Sequence, residues 1–410
     1  MENNHNELWQ GGPWEQPSRP VLSPLRITVP TPRPPILRPR QRKRRWPAIL
    51  GGAVLLLILL FCMGRIIAYW PYLSEEFFSP YPHTPEDSPI VSTEPPSIPR
   101  AAAGSGVVVT LLPPTDTPLS NTQIYKKCTP SIVSIFSEGP IGGGSGTGIV
   151  LTSDGYLLTN AHVVAGASQV EVALHNNQIL TAKLVGFDAR EDLAVLKVDA
   201  QGLTPAQFGD SDALRCGDPV AALGDPLGYR STITEGIVSA LDREISVDDA
   251  TMTLIQTSAA INFGNSGGAL LNQYGQVVGI TTIKIVSDDG SAEALGFAIP
   301  STRVKYVADR LIAGQTVRAG AFGFTVGTFP VPSGGLEIYS VDPRSDAFSK
   351  GIRPGDILIG ANGQEVTGTQ TLVHLKLTLG AGDTVRLVFL RGGATYTVDV
   401  ILTDVAALCD

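Results

Sequence analysis

The chain has 410 residues, long enough for two or three domains, and its 43% hydrophobic and 17% charged residues suit globular material plus one extra apolar segment. Its net charge of −8 is uneven: residues 1–47 carry nine Arg or Lys against three Glu, a net +6, and the remainder sums to −14. A short, Pro-rich basic stretch on an acidic chain argues against a nucleic-acid partner, and four cysteines with no CxxC pair argue against a zinc site or a thioredoxin-type motif.

Residues 1–47 show no apolar periodicity and cannot bury enough surface to offset their ordering entropy, so they read as a disordered basic tail. Ala48 to Gly64 is a run of 17 uncharged residues, extended through Ile66 and Ile67 to the aromatic pair Tyr69 and Trp70. Residues 48–70 therefore read as a transmembrane helix of near-minimal length, with Arg65 able to snorkel. A cleaved signal peptide fits less well, because its basic region would be too long and no small-residue cleavage site follows. The basic cluster Arg40–Arg45 should stay cytoplasmic, which puts everything after Trp70 outside: a single-pass protein of the cell membrane. Residues 71–120, with eleven prolines, read as a semi-extended spacer.

From 121 to 315 short apolar runs such as Ser131–Phe136, Tyr156–Thr159, Leu193–Val198 and Val277–Thr282 are broken by Gly, Asp and Asn. Strands about ten residues apart with turn signals between them predict an antiparallel, mostly β domain. Residues 301–313 read as a closing helix with Ser301 as its N-cap. A smaller α+β unit spans 318–406. Its expected strands are Phe322–Val326, Leu336–Val341, Asp356–Ala361, Thr384–Arg391 and Thr395–Leu402, with a helix over Gln370–Leu379.

Two stretches carry the chemistry: Leu158-Thr159-Asn160-Ala161-His162-Val163-Val164 and Asn262-Phe263-Gly264-Asn265-Ser266-Gly267-Gly268. A serine between glycines on a tight turn admits a substrate backbone and lets successive amides point at one spot. A hydroxyl needs a base, and the base an orienting carboxylate. His162 is the candidate base, and Asp192, at the start of an apolar strand, the candidate orienter. Asp188 and Glu191 nearby read as solvated turn residues. His5, His83, His175 and His374 sit in no ligand-like spacing and read as ordinary polar residues. Neither a metal nor a cofactor is expected.

These stretches closely resemble the HtrA (protease Do) family of trypsin-like serine proteases with PDZ domains, over about Thr122 to Leu402. Gly217-Asp218-Pro219-Val220, Thr234-Glu235-Gly236-Ile237-Val238 and Gly296-Phe297-Ala298-Ile299-Pro300 agree with it. The resemblance implies a chymotrypsin-like double β-barrel with His162, Asp192 and Ser266 as catalytic residues. It places the oxyanion hole on the backbone N–H groups of Gly264, Asn265 and Ser266, and Ile261 in a small to medium apolar S1 pocket. Two positions depart from the family's usual pattern: Ser258, where Asp is usual, and Asp225, where Asn is usual. In the C-terminal unit, Ala321-Phe322-Gly323-Phe324 matches a PDZ carboxylate-binding loop, so Phe322, Gly323, Phe324 and Leu372 are the expected peptide-binding residues. The implied function is a membrane-anchored serine endopeptidase, a homotrimer by analogy. It would cleave misfolded or regulatory envelope proteins, with C-terminal peptides engaging the PDZ domain. A PDZ scaffold or chaperone with little proteolysis, and a narrow site-specific signalling protease, are the alternatives. Whether Cys128 and Cys216 pair stays open.

Overall fold

The computed structural model describes residues 93–104, 106–115, 117–140, 142–225, 231–247, 250–262, 264–284 and 295–408. The expected basic tail, the expected membrane helix and the first part of the spacer lie outside them. Among the described residues no helix is long and apolar enough to cross a membrane.

Helix α1 (Asn121–Cys128) opens the protease unit with a capping box, in which the Ser120 side chain accepts from Gln123 N and Gln123 answers the Ser120 amide. Six antiparallel strands then close into a barrel: β1 (Ile132–Gly139), β2 (Gly142–Val150), β3 (Tyr156–Thr159), β4 (Gln169–Ala173), β5 (Ile179–Asp188) and β6 (Leu193–Val198). Around the ring they run β1-β2-β3-β6-β5-β4. The single-turn helix α2 (Ala161–Val164) leaves the end of β3. Ile135, Leu157, Val170, Val172, Leu184 and Leu196 fill the interior, each essentially inaccessible to water.

The second barrel uses β7 (Pro219–Gly224), β8 (Thr232–Val247), β9 (Ala250–Thr257), β10 (Ala269–Asn272), β11 (Val277–Lys284) and β12 (Gly296–Pro300). Their pairing order is β11-β10-β7-β8-β9-β12, closed by β12 on β11. Helix α3 (Ser301–Ile312) follows, and Val304, Val307, Ala308, Leu311 and Ile312 bury its apolar face against both barrels. Ser301 is not the cap that the sequence suggests. It lies inside the first turn, and its hydroxyl donates to Gly209 O at 2.6 Å and accepts from Ser211 N at 2.9 Å. The demand of a neighbouring loop for a partner wins over capping.

Residues 97–104 and 106–112 depart from the spacer reading, because they strap the protease unit. Ile98 and Val109 are buried, Leu184 N donates to Pro99 O, and Leu111–Leu112 pairs in parallel with Phe208–Gly209.

The C-terminal unit has β13 (Phe324–Val326), β14 (Leu336–Val341), the short helix α4 (Asp346–Ser349), β15 (Ile357–Ala361), helix α5 (Thr369–Leu375), β16 (Thr384–Arg391) and β17 (Ala394–Ile401). Its sheet order is β13-β14-β15-β16-β17, which leaves β13 at the edge. The expected first strand starts two residues late, because Gly323 takes φ +80° and turns the chain. Helix α5 stops at Leu375 rather than Leu379, and the carbonyls of Lys376 and Leu379 instead accept from Arg303 of α3.

That contact belongs to a docked face between the two units. Tyr306 Oη donates to Asp383 Oδ2 at 2.7 Å, and the Arg310 guanidinium lies over the Tyr306 ring and pairs with Asp383 at 3.2 Å. His374, unremarkable in the sequence, is held between Asp212 and Asp242 of the second barrel, each at 3.4 Å. Hydrogen bonds to the two carboxylates push its pKa up to about 10. Cys128 and Cys216 are both free thiols. Cys128 is buried, donates to Gly275 O, and burial pushes its pKa up to about 11, whereas Cys216 is exposed.

Two expectations follow from these contacts. An alkylating reagent should modify Cys216 in the native chain and reach Cys128 only after denaturation; equal labelling rates for the two thiols would contradict the packing. The charged His374 stabilises the docked state fully below the unfolded-state value of about 6.5, and this contribution is lost as pH rises through about 10. In urea unfolding, the deficit of His374→Gln relative to the wild type should therefore be largest at pH 6 and shrink steadily toward pH 10.

Candidate active site

The two barrels each supply one side of the cleft. His162 stands on α2, immediately after β3, and Asp192 on the turn that leads into β6, both in the first barrel. Ser266 lies on the turn entering β10 of the second. This turn requires glycine at 267, where φ is +80° and a Cβ would meet Thr147 O at 2.1 Å. Thr147 of β2 ties the turn to the first barrel: its amide donates to Ser266 O at 2.8 Å and its hydroxyl to Gly264 O at 2.6 Å.

His162 Nδ1 lies 2.9 Å and 3.0 Å from the two carboxylate oxygens of Asp192, and the His162 amide donates to Oδ1 at 3.1 Å. The Thr282 hydroxyl, on β11 of the second barrel, donates to Oδ2 at 2.5 Å. The Asn160 side chain donates to Asp192 O at 2.9 Å. Asp192 itself takes φ +49°, a left-handed conformation that Asp tolerates better than most residues. Burial pushes the His162 pKa down, but the adjacent charge and hydrogen bond of Asp192 raise it by more, so the net shift is upward. With Nδ1 committed to the carboxylate, Nε2 is the nitrogen free to act.

The Ser266 hydroxyl donates to Thr282 O at 3.2 Å, and no hydrogen bond joins it to His162 among the described residues. Gly264 has φ +95°. The Asn265 amide donates to Asn262 O at 3.0 Å, so of the three amides expected to form an anion hole one is already engaged. Among the described residues, Gly264 N and Ser266 N donate to no protein acceptor. Asn265 is buried, and its backbone carbonyl accepts from the Thr281 hydroxyl at 2.6 Å. Ile261 is buried with Ala222 and Ala259, a small apolar cluster beside the serine turn.

Glu191 does not read as it did in the sequence. It is half-buried, and its carboxylate accepts from Arg303 Nε at 2.8 Å and from Arg303 Nη2. Asp188 is partly buried too, which raises its pKa, and it caps the Glu191 amide at 2.9 Å. Thr147, Thr282 and Arg303 carry no motif signal, and only Asn160, inside the histidine stretch, was open to recognition from sequence.

In the C-terminal unit, Phe322 and Leu372 are buried in the core and Phe324 is packed against it. The rings of Phe322 and Phe324 stack with centroids 5.7 Å apart. Gly323 admits no side chain, since a Cβ would meet Ser345 at 2.2 Å. Strand β13 is the edge of its sheet, and Leu372 of α5 shares the core with Phe322.

Residues 146–280 match the trypsin-like peptidase domain family and residues 314–402 the PDZ domain family. The chain is 40% identical over 286 residues to a serine protease Do-like HtrA of Bacillus subtilis, covering 63% of each chain. It is 40% identical over 275 residues to a probable periplasmic serine endoprotease, DegP-like, of Chlamydia trachomatis, with 63% of this chain and 54% of the relative covered. A serine protease Do-like HtrA of Lactobacillus helveticus is 39% identical over 280 residues, covering 63% of this chain and 68% of the relative. The chain thus spans between about half and two thirds of the length of these relatives. Among solved structures, the HtrA-type protease AlgW with a tripeptide superposes with a TM-score of 0.57 at 32% identity, covering 70% of this chain and 97% of the other. AlgW with a decapeptide gives 0.53 at 30% identity, covering 70% and 99%. With two closed barrels, a serine, histidine and aspartate at their junction and a PDZ unit behind them, the chain belongs to the HtrA (protease Do) family of trypsin-like serine proteases.

Proposed function

We propose that the chain is a serine endopeptidase in which Ser266 is the nucleophile, His162 the general base and Asp192 its orienter. The observation that carries this reading is the approach of both Asp192 carboxylate oxygens to His162 Nδ1, with the Ser266 hydroxyl bonded to Thr282, whose own hydroxyl meets the same carboxylate. In the reaction, the Ser266 hydroxyl leaves Thr282 O for His162 Nε2, gives up its proton there and attacks the scissile carbonyl. Gly264 N–H and Ser266 N–H receive the developing oxyanion. His162 then passes the proton to the leaving amine, and the acyl-enzyme is hydrolysed by a water that His162 deprotonates. Asp192 stabilises the imidazolium throughout and stays ionised. The Ile261 cluster favours a small to medium apolar side chain before the cleaved bond.

The PDZ unit is proposed to hold C-terminal peptides along β13, a reading supported by the tripeptide and decapeptide bound to AlgW. The substrates are proposed to be unfolded or misfolded proteins outside the cytoplasm, in keeping with the periplasmic names of several relatives. Anchoring through residues 48–70, supported by their uncharged run beside a basic cluster, would hold both units at the outer face of the membrane. Trimer formation rests on family analogy.

Ser266→Ala should lower casein cleavage by at least about 10⁴-fold while leaving the urea unfolding curve and the binding of an apolar C-terminal peptide unchanged. Wild-type turnover by this variant would sink the assignment.

A further inference from the structure

We infer that Glu191 and Arg303 form a positioning pair for the Asp192 carboxylate, and that the pair takes its own position from the segment that follows the PDZ helix α5. The inference rests on the proposed role of Asp192. The turn that presents Asp192 is closed by two local links, Glu191 N to Asp188 Oδ1 at 2.9 Å and Asp192 N to Ala189 O at 3.4 Å, and Asn160 donates to Asp192 O at 2.9 Å. Asp192 holds a left-handed backbone there, a conformation that persists only where surrounding contacts fix it.

A further contact is made by the neighbouring residue. Arg303 uses four of its five N–H groups at once. Nε and one Nη2 hydrogen grip the two oxygens of Glu191, while Nη1 donates to Lys376 O at 2.9 Å and to Leu379 O at 3.1 Å. The guanidinium also lies 4.8 Å from the Tyr306 ring centroid, and Tyr306 is itself bonded to Asp383 of the PDZ unit. Both charged side chains are largely shielded, Arg303 at 11% and Glu191 at 16% side-chain exposure. Neither can leave the other without stranding a charge away from water. Because Glu191 and Asp192 share a peptide unit, a Glu191 side chain held at its carboxylate by Arg303 restrains that unit and with it the Asp192 φ. The carboxylate facing His162 is thus tied, through one planar fork, to two carbonyls of the segment that follows α5. Asp188, the exposed Arg190, Glu191 and Asp192 on the turn and Arg303 on α3 are the charged groups around it, and the segment after α5 contributes backbone oxygens.

A plain structural ion pair would affect stability alone, whereas a positioning pair must change the basicity of His162. The test uses the full chain and a small chromogenic substrate, which needs no capture by the PDZ unit. The pH dependence of kcat/KM is measured for the wild type, Glu191→Gln, Arg303→Lys and Asp192→Asn. The wild-type acid limb should lie above the ordinary histidine value of about 6.5. In Glu191→Gln the limb should move down toward that value and kcat should fall about 10- to 100-fold with KM little changed. The midpoint does not depend on the fraction of molecules folded, so an unmoved midpoint in Glu191→Gln overturns the positioning role whatever its melting temperature. Arg303→Lys keeps the charge beside Glu191 but cannot also reach both carbonyls after α5. A midpoint shifted in Glu191→Gln and unmoved in Arg303→Lys would refute the link to that segment. Asp192→Asn separates this inference from the one beneath it: if that variant keeps near-wild-type kcat, the triad assignment itself is wrong.

Discussion

A carboxylate held where water hardly reaches is the constraint around which this cleft is arranged. Asp192 accepts from the His162 amide, the His162 ring and the Thr282 hydroxyl, and its side chain is only 12% exposed. An ionised group so enclosed must have its oxygens satisfied, and the donors come from both barrels. The histidine is thereby fixed in tautomer and orientation, and the second barrel is locked against the first at the point where chemistry is proposed to occur. Thr282 serves both sides, since its hydroxyl meets Asp192 and its carbonyl receives the Ser266 hydroxyl.

The same economy governs the contact between the protease and PDZ units. Helix α3 buries its apolar residues against the barrels and turns Arg303, Tyr306 and Arg310 toward the C-terminal unit. Charged and polar contacts are prominent there, with His374 between two carboxylates and Arg310 stacked on Tyr306, beside the buried Leu377. A face of this kind is weaker than an apolar core and sensitive to pH and to single substitutions.

Much of this was legible in the sequence. Short apolar runs between Gly, Asp and Asn pointed to antiparallel strands, the two-barrel form came from the family resemblance, and the stretches around His162 and Ser266 offered the candidate base and nucleophile. Asp192 was also identifiable, at the head of an apolar strand. Pairing partners that are distant in sequence were not. Thr282 and Thr147 are common β residues whose importance comes from what faces them across the cleft. Glu191 and His374 looked solvated because local sequence does not report burial by a second domain. Ser301 failed as a cap for a related reason: a tertiary partner outcompeted the local hydrogen bond. The Pro-rich stretch before residue 121 read as a spacer on composition, yet Ile98 and Val109 find apolar pockets on the protease surface.

The central claim is that Ser266 is nucleophilic because His162 and Asp192 make it so. The most direct measurement is reaction of the full chain with a fluorophosphonate, which modifies only activated serines, followed by mapping of the adduct. The account predicts a single adduct on Ser266, formed in the wild type and absent in His162→Ala. An adduct on another serine, or undiminished labelling of Ser266 without the histidine, would contradict it.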